Sequence, residues 1–203
     1  NAGTRDITLT AANDAPVVTT TGSALAYTEN DAATAVDGGL TVTDVDSATL
    51  SSATVSVSAN FVTSQDVLAF VDQNGITGMW NAGTGVLTLT GSASVANYQA
   101  ALRSITYTNT AENPSTATRT VSFVVNDGAT DSNTGTRDIT LTAANDAPVV
   151  ATTGSALAYT ENDAATAVDT GLSVTDVDSA TLSSATVSFS ANYVTGQDVL
   201  SFV

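Results

Sequence analysis

No cysteine, no histidine and no lysine occur among the 203 residues. Without cysteine there are neither disulfide staples nor thiol chemistry, and without histidine the commonest general base and transition-metal ligand is missing. Four arginines face twenty acidic residues, for a net charge of −16. Such a field repels phosphate backbones and anionic membrane surfaces, so neither nucleic acid nor membrane insertion is expected, whereas divalent cations are natural partners. These residues hold no charged-then-apolar leader and no long apolar run, so secretion, where it occurs, is expected to be encoded elsewhere.

What is present is a repeat. Thr136 to Val150 reproduces Thr4 to Val18 letter for letter, at an offset of 132 residues, and Asn145 to Val203 matches Asn13 to Val71 at all but seven positions. A unit of that length can hold one hydrophobic core. The expected organisation is a closing strand of a preceding repeat at 1–12, a complete repeat at 13–144 and the first part of the next at 145–203. Nothing after residue 203 corresponds to 72–144, so a larger tandem array is expected.

Within the repeat, short runs rich in threonine, valine and leucine alternate at period two between Asn, Asp and Gly clusters. Ala24–Thr28, Leu40–Thr43, Ala53–Val57, Val67–Val71, Ile76–Trp80, Val86–Leu89, Ser104–Thr108, Thr118–Val125 and Arg137–Thr142 read as strands. Asn74-Gly75 and Asn126-Asp127-Gly128 read as hairpin-type turns. One short helix is expected after Gly91, which should break the strand before it. Ser94 would cap it, and Val95, Tyr98 and Leu102 fall on one face. The class is therefore all-β, an antiparallel Greek-key β-sandwich in tandem with one short helix per repeat.

Strand direction then sorts the acids to two poles. Glu29 and Glu112 fall at the far pole, while Asn13, Asp14, Asp44, Asp46 and Asp127 fall near the start of the unit. The junction at Asn145-Asp146 would gather Glu29 and Glu112 from one repeat and Asp176 and Asp178 from the next. Calcium takes six to eight oxygen ligands, so it fits this inventory better than magnesium, which keeps its waters, or zinc, which favours histidine and cysteine. Each acidic turn taken singly also has a plain turn explanation, because Asp and Asn side chains bond local backbone.

Tyr-Thr-Glu-Asn, then Thr-Val-Thr-Asp-Val-Asp, then Asn-Asp-Gly, then Ala-Asn-Asp-Ala-Pro follow in the order of the calcium-binding elements of cadherin repeats. The unit resembles the cadherin-like repeats of giant bacterial RTX-type surface adhesins. That resemblance implies a calcium-stiffened extender of the bacterial cell surface, projecting terminal binding domains for adhesion or biofilm formation. It maps Glu29, Asp44, Asp46, Asp127 and Asn145-Asp146 onto the family's calcium elements. The Asp-Arg-Glu element expected before the penultimate strand is missing, leaving Glu112 as its candidate.

The expected function is a monomeric, non-enzymatic extracellular spacer whose partners are neighbouring repeats and which has no small-molecule substrate. The alternative is a glycan- or protein-binding module using the Asn74–Gly85 hairpin and Trp80, although a single tryptophan in a hairpin more often belongs to the core or its rim. Paired carboxylates alone give catalysis little support, because they recur at module ends beside turns. Asp66, Asp72 and Asp131 are expected to be solvated, and the hydroxyls of Tyr98 and Tyr107 to reach the surface.

Overall fold

The computed structural model describes residues 2–202; Asn1 and Val203, the outer ends of the two flanking segments, lie outside the described residues. The chain divides into one compact unit up to Asn145 and a second from Asp146 onward. In the first unit, β1 (Val17–Thr19), β2 (Leu25–Thr28), β3 (Thr34–Ala35), β4 (Thr41–Thr43), β5 (Thr49–Ala59), β6 (Asp66–Ala69), β7 (Thr77–Asn81) and β8 (Val86–Ser94) precede the helix α1 (Val95–Arg103). After it come β9 (Thr106–Asn109), β10 (Arg119–Asn126) and β11 (Gly135–Thr142).

Six strands form one sheet in the order β2-β11-β10-β5-β8-β7; β3-β9-β6 form a second sheet, and β1-β4 a short ladder. Period-two alternation decides which side chains enter the core. Along β10, Val121, Phe123 and Val125 are fully buried, and β5 adds Val55 and Val57, β8 Leu87 and Leu89, and β11 Ile139 and Leu141. Leu68 and Tyr107 from the smaller sheet, with Val18 and Val42 from the ladder, complete one shared cluster, as a β-sandwich does. The pairing is antiparallel except between β11 and β2, which run parallel with Ile139 opposite Leu25 and Thr142 opposite Thr28. Both strands run toward the Glu29 end of the unit, so as neighbours they have to be parallel.

The helix obeys its sequence signals. Ser94 accepts the Asn97 amide at 3.2 Å, and Tyr98, Ala101 and Leu102 face the core. Gly91 does not end the strand. β8 runs through it at φ 127°, where the pairing with β5 slips a register, and a Cβ there would strike the Gly75 carbonyl. The close approach of the Asn74-Gly75 turn, both residues at positive φ, therefore selects glycine.

Two segments show context outweighing sequence. Thr4–Thr10 is identical to Thr136–Thr142, yet it forms no strand and leaves Ile7 and Leu9 at 84% and 91% exposure. The copy at 136–142 is a strand because β10 and β2 flank it. In the second unit, β12 (Val149–Ala151) pairs with β13 (Ser173–Thr175) in the register of β1 with β4. Its apolar residues Val150, Tyr159 and Leu182 are exposed where Val18, Tyr27 and Leu50 are buried. Two of the seven substituted positions, Phe189 and Tyr193, stack on each other with ring centroids 5.5 Å apart.

Candidate metal centre

At the near pole of the first unit, side chains from three loops meet. The Asn13 amide donates to the Asp127 carboxylate at 2.8 Å and to the Asp14 carbonyl at 3.1 Å. The Asp14 amide donates to Asp46 Oδ2 at 3.0 Å. Asp44 Oδ1 accepts the amides of Asp46 and Ser47, at 3.1 and 2.8 Å, which closes the Asp44–Ser47 loop on itself. Its other oxygen, Oδ2, is buried and accepts no hydrogen bond. Hydrogen bonds from the Thr130 amide and the Asn13 side chain hold the Asp127 carboxyl below its ordinary value.

At the opposite end, Glu29 follows β2 directly. Its amide donates to the Thr142 carbonyl at 2.9 Å, and its Oε2 accepts the Ala144 amide at 2.8 Å. The residue is only 4% exposed, and Oε1 is buried without a donor. The exposed Glu112 brings a carboxylate oxygen to within 4.8 Å of one from Glu29. Two carboxylates that close repel by about 1 kcal/mol in bulk water at 4 Å and by about 4 kcal/mol at an effective dielectric of 20.

Asn145 closes the first unit as an exposed residue, and Asp146 opens the second. Within the second unit the Asp146 amide donates to Asp178 Oδ2 at 3.1 Å, while Asp176 Oδ1 accepts the amides of Asp178 and Ser179 at 3.3 and 2.8 Å. A hydrogen bond with the Asp176 carboxyl, and then the Asp146 amide, lower the Asp178 pKa from its ordinary value. These contacts repeat those of Asp14, Asp44, Asp46 and Ser47.

The acceptors gathered at the two poles are oxygens: the carboxylates of Asp44, Asp46 and Asp127 with the Asp14 carbonyl at one, those of Glu29 and Glu112 at the other. That is the chemistry of a hard cation. The two orphaned buried oxygens, on Glu29 and Asp44, fit it as well. A buried acceptor without a donor costs about 1–3 kcal/mol, and more when charged, unless a cation supplies the missing contact.

Three residues expected at the surface are elsewhere. Asp66 is 2% exposed and pairs with the fully buried Arg119 at 3.2 Å, and it also accepts the Tyr107 hydroxyl at 2.6 Å and the Asn109 amide at 2.8 Å. Tyr107 and Tyr98 are fully buried, the latter donating to the Gly91 carbonyl at 2.6 Å. Burial first, then Asp66, pushes the Tyr107 phenol well above its ordinary pKa, so it stays a donor. Asp72 accepts the Gly78 amide and Asp131 the Asn126 side chain. The signal for Asp66 was present in the chain. Arg119 is in phase with Val121, Phe123 and Val125, so alternation alone puts a guanidinium in the core, and a buried guanidinium calls for a buried acid. Trp80 lies half-buried, edge-on to Phe61 at 6.2 Å, as a residue of the core rim.

Compared with known proteins, the chain is 42% identical over 96 residues to halomucin of Haloquadratum walsbyi. The match covers 45% of this chain and 1% of that protein, whose length is thus roughly a hundred times the matched stretch. No family model matches the chain. No solved structure matches it either. Among the described residues, no helix is long and apolar enough to cross a membrane.

Proposed function

We propose that this chain is a spacer of a very large surface protein: tandem all-β repeats stiffened at their junctions by calcium and carrying adhesive domains away from the cell. The observation that carries the reading is the pair of buried, donorless carboxylate oxygens, Glu29 Oε1 and Asp44 Oδ2, one at each pole of the complete repeat. In this reading the first unit offers calcium Glu29, Glu112 and Asn145 at its far pole, and the second unit offers Asp146, Asp176 and Asp178. The first repeat receives its own ion at Asn13, Asp14, Asp44, Asp46 and Asp127. The match to a stretch of halomucin supports the setting in a large surface protein, and near-identical neighbours favour length over recognition, since copying a spacer adds reach with every copy.

Thermal unfolding and small-angle scattering, each in calcium and in chelator, test the reading. Calcium at about one hundred times its dissociation constant contributes about 2.7 kcal/mol per site, so the melting temperature should rise by several degrees and the maximum dimension become better defined. Asp44→Asn and Asp176→Asn should each remove part of that gain. A melting temperature and dimension indifferent to calcium rule the reading out.

A further inference from the structure

The buried polar cluster around Asp66 is large for a module this small, and its reach has a direction. Asp66 Oδ2 accepts the Val62 amide at 2.7 Å, while Arg119 Nε lies 3.2 Å from Oδ2 and 3.3 Å from Oδ1. The same guanidinium donates through Nη1 to the carbonyls of Ser115 and Ala117, at 2.6 and 2.7 Å, on the loop that carries Glu112. Asn109 joins the carboxylate to the other end of that loop, its Oδ1 accepting the Ala111 amide at 3.0 Å. Thr110 ties the loop to the segment before β6 through the Gln65 and Ser64 carbonyls, both at 3.0 Å.

The second branch leads to Glu29. Tyr107 packs edge-on against Tyr27, with centroids 5.1 Å apart. The Tyr27 hydroxyl accepts the Asn109 amide at 3.3 Å and donates to the Asp31 carbonyl at 2.7 Å, which fixes the turn holding Glu29. Both far-pole glutamates therefore hang from one buried ion pair.

We infer that Asp66 and Arg119 are positioning residues for the far-pole cation site, holding Glu29 and Glu112 together against their mutual repulsion. This rests on the calcium reading above. An apolar core pair would serve stability about as well, because buried ion pairs recover little more than their desolvation cost. What an apolar pair lacks is donors for the Ser115 and Ala117 carbonyls and an acceptor for Asn109. Partners that orient metal ligands typically change affinity by about 10–100-fold when removed.

The test uses the whole chain and the double variant Asp66→Leu/Arg119→Met, whose fold is checked by the near-ultraviolet signal of Trp80. Calcium titration should show affinity weakened about tenfold or more, with Glu112→Gln non-additive when combined with the double variant. Hydrogen exchange in chelator should show lost protection at 28–31 and 109–117 and retained protection at Val55 and Val121. If the double variant does not fold, Tyr107→Phe is read in its place, with a loss of a few-fold expected. A folded variant with unchanged affinity and unchanged protection overturns the positioning role and leaves the calcium reading standing. A wild-type chain that binds no calcium overturns both.

Discussion

The Asp44–Ser47 loop and its copy at Asp176–Ser179 carry the same hydrogen bonds in different surroundings. In each, the first aspartate accepts the amides two and three residues further on, and the second accepts the amide of the aspartate at the start of the repeat. Around the first copy Val18 and Val42 are 3% and 5% exposed; around the second, Val150 and Val174 are 60% and 42% exposed. The acid loops are thus shaped by their own side chains and by a three-residue ladder, while burial depends on strands far away in sequence. Asp66 and Asp198 make the same point. Both accept the amide four residues earlier at 2.7 Å, but among the described residues an arginine pairs with Asp66 and none with Asp198.

Removing each of these two carboxylates should have the most unequal effects. Asp66→Ala leaves Arg119 buried and uncompensated, and denaturant unfolding should show about 3–5 kcal/mol lost. Asp198→Ala removes one turn hydrogen bond, with a loss of about 0.5–1.5 kcal/mol expected. Equal losses would mean that the arginine contributes nothing. Next comes the core: Leu50→Ala should cost about 2–5 kcal/mol, and Leu182→Ala, at 47% exposure, close to nothing. The smallest effect concerns protons. Because Asp127 and Asp178 have depressed folded-state values, the stability they contribute is complete above the unfolded value of about 4 and is lost as pH falls through the folded one. Carboxyl carbon shifts followed by NMR should place Asp127 below the ordinary aspartate range in wild type and nearer to it in Asn13→Ala; an Asp127 that titrates like a free aspartate contradicts the assigned hydrogen bonds.

Local chemistry carried much of this into the sequence. Ser94 capping α1, Asn74-Gly75 turning at positive φ and the sorting of Asp14, Asp44, Asp46 and Asp127 to one pole all depend on neighbours or on counting strand directions. The parallel pairing of β11 with β2 departs from the all-antiparallel expectation, because counting gives each strand's direction and not its neighbour in the sheet. Three further features did not follow. Asp66 meets Arg119, Tyr107 and Asn109 across separations of 53, 41 and 43 residues, so the alternation that buries Arg119 calls for an acid without saying which one meets it. Gly91 was legible as an exception and not as a continuation, because its reason is the Gly75 carbonyl on another turn. Thr4–Thr10 carries a full strand pattern and forms none, since an edge without partners leaves its backbone to solvent.

Glu29 offers the most direct measurement. Calcium titration of the wild-type chain, of Glu29→Gln and of Asp131→Asn compares an acid whose buried oxygen lacks a donor with one whose carboxylate already accepts the Asn126 side chain. Wild type and Asp131→Asn should bind with the same stoichiometry, and Glu29→Gln should lose one site. Unchanged binding in Glu29→Gln would contradict the calcium reading.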